Sequence, residues 1–321
     1  MKALCLQLLI IPVIIFSQNY NSPESIEYNS INGNYFISNS GNGQILKLDN
    51  NNLSIFVTGL NSGPHGLELV ESYIGPKLTA QTLYVCSGGQ LYGYDQNGNQ
   101  VLNYNLNGAF LNGITKRVTN TDQSSGTDLF ITDFGAKKLY QYNIEENTHY
   151  EICSFPKSPN GVYYDHMNDR LIVVCWGSNA PIYEVNLANN TYSTIINTGL
   201  WNLDGITMDQ CGNFYISAWS SDAVHKYNSD FTNSEIVIDG LSEPADIDYN
   251  EIDNILAIPN SGNNTIDLVF SPCNNNFINE FERGKHLINT FDLFGRITNK
   301  CGFNLELYDD GSIKKKYKLK Q

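Results

Sequence analysis

The sequence predicts an all-β protein built from six copies of one unit, and three observations predict it. Helical periodicity is nearly absent: from residue 23 to 270, short runs rich in Val, Ile, Tyr and Phe alternate with clusters of Asn, Gly, Ser and Asp, the texture of strands and turns. One motif recurs. The segments PESIEY (23–28), PHGLEL (64–69), LNGITK (111–116), PNGVYY (159–164), LDGITM (203–208) and PADIDY (244–249) align, and their second residues lie 41, 47, 48, 44 and 41 residues apart. Each motif is followed by a second run ending in small polar residues (NYFISNSGN, TLYVCSGG, DLFITDFGA, RLIVVCWGS, NFYISAWSS, NILAIPNSGN). A third run such as KLYQYN or PIYEVN and a fourth such as LSIFVTGL or SEIVIDGL come next. Four strands in roughly 40–50 residues make a propeller blade, so six copies predict a six-bladed β-propeller.

Taken in chain order, the first element is MKALCLQLLIIPVIIFSQ: Lys2, then an apolar stretch from Leu8 to Phe16 broken only by Pro12. It is too short to span a bilayer and has the layout of a secretory signal peptide occupying residues 1–17, cleaved before Gln18. The propeller is expected over 18–270. Blade six has no clear fourth strand after TIDLVF, and SQNYNS precedes blade one. The mature N-terminus is therefore expected to supply the missing edge and close the ring. A linker over 271–285 and a tail over 286–321 follow. The charge supports that division: the chain carries 19 basic and 33 acidic residues, net −14, yet the residues from Ser271 onward are net positive.

An acidic body repels nucleic acid and anionic membranes, so neither is an expected partner. Six cysteines remain after Cys5: Cys86, Cys153, Cys175, Cys211, Cys273 and Cys301, with no CxxC and no finger spacing. In an exported chain they can pair, but spacing does not say how. Cys86, Cys175 and Cys211 lie in or beside strand-like runs, where a buried free thiol is the commoner state.

The first strand of a propeller blade lines the central channel, so the residue entering it sits at one mouth, equivalently in every blade. Those positions hold Glu24, His65, Asn112, Asn160, Asp204 and Ala245. Glu24, Asn112, Asn160 and Asp204 offer oxygen ligands with two negative charges, a set suited to a hard divalent cation: Ca²⁺ first, with Mg²⁺, Zn²⁺ or Mn²⁺ tolerated. Asn-Gly and Asp-Gly are equally the preferred way to turn a chain into a strand. His65 and the neighbouring Trp201 are candidates to contact a substrate.

The segment LDGITMDQCGNFYISAW (203–219) resembles the metal-site segment of the senescence marker protein/gluconolactonase family of six-bladed propellers, with Asp204, Gly205, Asp209, Gly212 and Tyr215 on the shared pattern. The resemblance implies a cation held by a first-blade Glu and by Asn, Asn and Asp from later blades, which fall on Glu24, Asn112, Asn160 and Asp204. It further implies a metal-dependent hydrolase of lactones or related esters in which Asp204 both ligates and accepts a proton. Three features depart from the family pattern. Ser25 and Ile26 stand where Gly-Pro is usual, Phe110 stands where the hydrolases often carry a substrate-holding Arg, and FLNGITK lacks the second acidic residue of Asn-Asp-Gly. The other expectation is accordingly a non-catalytic propeller that binds a glycan, peptide or protein. No G-x-S-x-G, H-E-x-x-H or G-x-G-x-x-G occurs in the chain, so the common alternatives lack their cues.

The tail carries DLFGR (292–296) and YDDGSIKKKYKL (308–319). These resemble the C-terminal sorting tails of proteins exported by the type IX secretion system of Bacteroidetes. The implied partner is that secretion machinery, beside a small-molecule or carbohydrate-derived ligand, and the implied location is the medium or cell surface, with no transmembrane segment in the mature chain.

Overall fold

The computed structural model describes residues 19–74, 77–120 and 125–273, together with the strands Leu287–Phe291, Gly302–Tyr308 and Ile313–Lys318. The apolar N-terminal stretch, residues 274–285 of the expected linker and the DLFGR motif lie outside the described residues, whereas 271–273 belong with the propeller. The chain divides into two units, Met1–Cys273 and Asn274–Gln321. In the second, the three strands pair antiparallel in chain order. In the first, six antiparallel sheets follow one another as the blades of a β-propeller, each ordered from inner to outer strand. The inner strands are Pro23–Asn29, Pro64–Ile74, Leu111–Asn120, Pro159–Asp165, Leu203–Met208 and Asp248–Asn250.

The hydrophobic core is divided among the gaps between blades. Six clusters of buried residues each join two neighbours: Leu67 and Val85 with Ile45 and Phe36 between blades one and two, Leu203 and Ile216 with Ile172 and Val174 between four and five. The last, Ile26, Ile37 and Leu46 with Ala257, joins blade six to blade one. No blade buries its faces alone, which is why the repeat must close on itself.

The polar–Gly pairs turn out to lie inside the inner strands. In the first five blades the pairing of inner and second strands slips across them, between Pro23 and Ser25, Pro64 and Leu67, Pro159 and Val162, and Leu203 and Ile206, and opposite Thr132 in blade three. Each pair is thus a β-bulge, which re-aims a side chain without ending the strand. The glycines are required by the neighbouring blade. A Cβ on Gly113 would stand 2.5 Å from the Asn160 carbonyl oxygen, and one on Gly161 2.5 Å from that of Asp204. Gly205 meets the Cα of Asp246 in the same way. Inner strands approach the axis more closely than a side chain permits.

Two expectations are corrected. Blade six has three strands among the described residues. The segment 19–22 is not its fourth: Ser40 N–H donates to the Ser22 carbonyl, Gly41 N–H to that of Asn21 and the Asn39 amide to that of Asn19. These blade-one partners satisfy the backbone that an outer edge would have used. The ring closes instead at its centre, where Asp246 N–H donates to the Glu24 carbonyl (2.9 Å). Cys211 is not a free thiol. It forms a disulfide with Cys273, their Cα atoms 5.8 Å apart across 62 residues, and so pins the end of blade six to the hairpin of blade five. Cys86 and Cys175 are free and buried.

Gly161→Ala should destabilise the propeller by about 1–3 kcal/mol, because the obstructing atom is backbone and cannot swing aside. Thermal or urea unfolding measures it; an unchanged midpoint would mean the axis is looser than the contact implies.

Candidate functional site

The five bulges bring Glu24, His65, Asn112, Asn160 and Asp204 to one ring at one mouth of the channel, with Ala245 completing it. Asn112, Asn160 and Asp204 are buried, at 5%, 1% and 2% exposure. The Asn160 amide donates to the Leu203 carbonyl (3.2 Å). This fixes its orientation and leaves Oδ1 buried with no partner. Among the described residues the Asn112 side chain has no hydrogen bond either, and Glu24 receives one long one from Ser261 Oγ (3.4 Å).

Charge at this mouth is uncompensated. Among the described residues no ion pair reaches Glu24 or Asp204. Burial pushes the Glu24 carboxyl up to about 7; Ser261 pulls it back and Glu243 adds to the rise. Burial also carries Asp204 well above the usual carboxylate range, reinforced by Glu24 and Asp246 and moderated by Trp219 and Asn160. The Trp219 indole is near enough to moderate, yet its Nε1 lies outside strict hydrogen-bond geometry and is buried without an acceptor. Two desolvated carboxylates, a bare amide oxygen and no protein cation fit a hard divalent ion.

His65 is held neutral. Burial lowers it to about 4, and its Nδ1 lies 3.1 Å from the Gly63 carbonyl. A carbonyl only accepts, so Nδ1 carries the proton and Nε2 is left as an acceptor. Its ring packs edge-on against Phe110, centroids 4.6 Å apart. From Phe110 the edge-to-face contacts run on through Phe134, Trp176 and Trp219, at 5.6, 6.0 and 4.9 Å. This arc spans blades two to five and walls the ring of oxygens. Trp201 stands outside it, 59% exposed, its backbone N–H donating to Ser220 Oγ.

The arc is the part that the axial column of the sequence does not reveal. Its signal is a second column, the residue just after each second strand: Ser40, Gly88, Phe134, Trp176, Trp219 and Ser261. In five blades that residue donates its N–H to the carbonyl two positions before the axial residue, as Phe134 does to Phe110 and Trp176 to Ser158. Asp209, on the shared family pattern, does other work. Its carboxylate accepts from the N–H groups of Cys211 and Asn213 and from the Tyr215 hydroxyl, holding the hairpin of blade five.

The fold and the ring of axial residues define a six-bladed β-propeller. Among solved structures the chain is similar to virginiamycin B lyase from Staphylococcus aureus, at 12% identity and TM-score 0.55 over 93% of this chain and 95% of that one. It is also similar to a streptogramin B lyase (13%, TM-score 0.57, 95% and 85%) and to a protein of unknown function from Bacteroides thetaiotaomicron (14%, TM-score 0.60, 78% and 69%). Identities this low show the fold alone. No family model and no curated protein matches the chain.

The buried carboxylates set a pH dependence. Glu24 and Asp246 are raised to about 7 and Asp248 to about 6, and Glu27, Glu68 and Asp204 are raised as well, each chiefly by burial. Folded, these groups keep protons that the unfolded chain releases from about pH 4 upward, so stability falls as pH rises toward about 7 and levels off beyond the raised values. His65 and His225 are lowered and act oppositely, but they are outnumbered. In chelator the melting temperature should therefore fall between about pH 5 and 7.5, and Glu24→Gln should shallow the fall. A rising profile would contradict the burial of these groups.

Proposed function

We propose that this propeller holds one divalent cation at the mouth formed by Glu24, Asn112, Asn160 and Asp204, and hydrolyses lactones or related esters there. The observation that carries the reading is the unpartnered, buried Asn160 Oδ1 beside two carboxylates that no protein cation neutralises. A bound Ca²⁺, or Mg²⁺, Mn²⁺ or Zn²⁺, would supply Lewis-acid polarisation of an ester carbonyl and a more acidic water. Asp204, already inclined to hold a proton, accepts one from the attacking water. His65 Nε2 accepts a hydrogen bond from a substrate hydroxyl, and the aromatic arc seats an apolar or sugar ring while excluding bulk water. The resemblance to gluconolactonases supports this choice of reaction. The fold is also that of lyases, so an elimination on a cyclic ester uses the same parts. Phe110, standing where the hydrolases often carry Arg, favours a second reading in which the aromatic wall binds a ring-bearing ligand without turnover.

The chain is read as exported: the N-terminal stretch has a signal-peptide layout, and a Cys211–Cys273 disulfide suits an oxidising compartment. Deleting residues 286–321 should leave a propeller of unchanged melting temperature that a type IX-competent host no longer releases. Equal release of the truncated chain would remove the sorting role from the tail.

Asp204→Ala should abolish cation binding in calorimetric titrations with Ca²⁺, Mg²⁺, Mn²⁺ and Zn²⁺, because it removes one of two ligand charges. Asp209→Ala should bind the cation normally while unfolding at lower temperature. Stoichiometric metal without turnover on a broad lactone panel, with and without chelator, would select the binding reading. Wild-type affinity in Asp204→Ala would end the metal reading.

A further inference from the structure

The channel has a second mouth, and it is built differently. Three residues beyond each axial position stand Glu27, Glu68, Thr115, Tyr163, Thr207 and Asp248. All six line both the inner channel and a cavity of about 510 Å³ at the opposite end from the candidate metal centre. Between the two levels each blade carries one aliphatic residue, Ile26, Leu67, Ile114, Val162, Ile206 or Ile247, that packs into the core between blades, and Asp246 lines the channel there.

Much of this second ring ties blades together. Glu27 accepts from Leu69 N–H (2.9 Å), Glu68 from Lys116 N–H (3.0 Å), Thr115 from Tyr164 N–H (3.3 Å) and Asp248 from Tyr28 N–H (2.8 Å). The linkage stops at blades four and five. Thr207 is 3% exposed and lines the cavity, and its hydroxyl has no hydrogen-bond partner among the described residues. The Tyr163 hydroxyl, on the same cavity wall, has none among them either. Three carboxylates at this level, with Glu251 on the rim, face one lysine, and Lys116 is committed to Glu68 at 2.9 Å. Tyr28, Tyr163, Tyr164 and Tyr249 complete the wall.

We propose that this cavity binds a small organic cation bearing an ammonium group. The excess carboxylate charge attracts it, the tyrosine faces pack its alkyl or methyl groups and attract its charge, and the unpartnered hydroxyls of Thr207 and Tyr163 take its N–H groups. A bare metal ion fits poorly. The cavity is far larger than an ion, and Glu27, Glu68 and Asp248 each already accept a backbone N–H. Like-charge crowding supports the case: burial raises Glu27 first, and Glu68 and Asp248 raise it further, a cost that a bound cation lowers.

The test is calorimetric titration of the full chain with putrescine and with neopentylammonium, using neopentyl alcohol as the neutral isostere and acetate as the anion control. One cation should bind per chain, and the alcohol and acetate should not. Glu27→Gln, which keeps the acceptor for Leu69, should weaken binding by about tenfold or more. The rim variant Glu251→Gln should weaken it less while melting like wild type. Asp204→Ala should leave cation binding unchanged, which separates this site from the metal centre. Absence of binding by either cation, equal binding of the neutral alcohol, or loss of binding in Asp204→Ala but not in Glu27→Gln would each overturn the proposal.

Discussion

Crowding at the propeller axis is the constraint on which the rest of this structure depends. Six inner strands converge, and in blades two to five a Cβ has no room: Gly66, Gly113, Gly161 and Gly205 answer it with bare Cα atoms against the next blade's backbone. Strands this close but not paired leave peptide groups facing one another without a ladder. Side chains must satisfy them. In blade three Thr132 Oγ1 accepts from Gly113 N–H and donates to the Asn160 carbonyl at 2.6 Å. Ser217 repeats the relay in blade five, from Gly205 N–H to the Ala245 carbonyl. Ser38 accepts from Ser25 N–H in blade one.

That requirement separates polar residues that hold the ring from those that do not. Thr132, Ser217, Glu68 and Asp248 each have a backbone partner in a neighbouring strand, so their polarity is explained by the fold. Among the described residues Asn112 and Asp204 have no backbone partner in a neighbouring strand, Glu24 has only a long bond from the blade-six Ser261 hydroxyl, and Asn160 uses its amide while leaving its oxygen bare. A buried acceptor without a donor costs about 1–3 kcal/mol, and a buried carboxylate without a counter-charge costs more. The mouth at Glu24, Asn112, Asn160 and Asp204 concentrates both costs in one place. At the other mouth Lys116 offsets part of the charge.

The repeat made the architecture and the axial column legible in the sequence, because one residue type recurring at one phase of six motifs needs no three-dimensional knowledge to find. Other features were hidden for physical reasons. An Asn-Gly or Asp-Gly pair reads as a turn, and only the slipped pairing reveals a bulge within the strand. The Cys211–Cys273 bridge joins residues 62 apart that meet only after blade six has packed on blade five. The second polar ring was visible as a column in the same alignment. Its residue types, Glu, Glu, Thr, Tyr, Thr and Asp, are too mixed to mark it without the cavity they line.

The six-fold repeat is broken in a way that gives the mouth at Glu24 and Asp204 a direction. Just after the second strands, blades three, four and five carry Phe134, Trp176 and Trp219, whereas blades six, one and two carry Ser261, Ser40 and Gly88. Five of these positions, all but Gly88, are equivalent by their backbone bonds, so the difference is one of side-chain volume on a common frame. Half of the rim is a wall of edge-to-face aromatics and half is low. The low half adjoins Ala245, the smallest axial residue, and Glu24, whose carboxylate accepts from Ser261 Oγ. A ligand reaching the oxygens of Asn112, Asn160 and Asp204 therefore has rings on one side and a carboxylate on the other. That asymmetry suits a flat or cyclic molecule presenting one polar edge, and a symmetric channel would give such a molecule no preferred orientation.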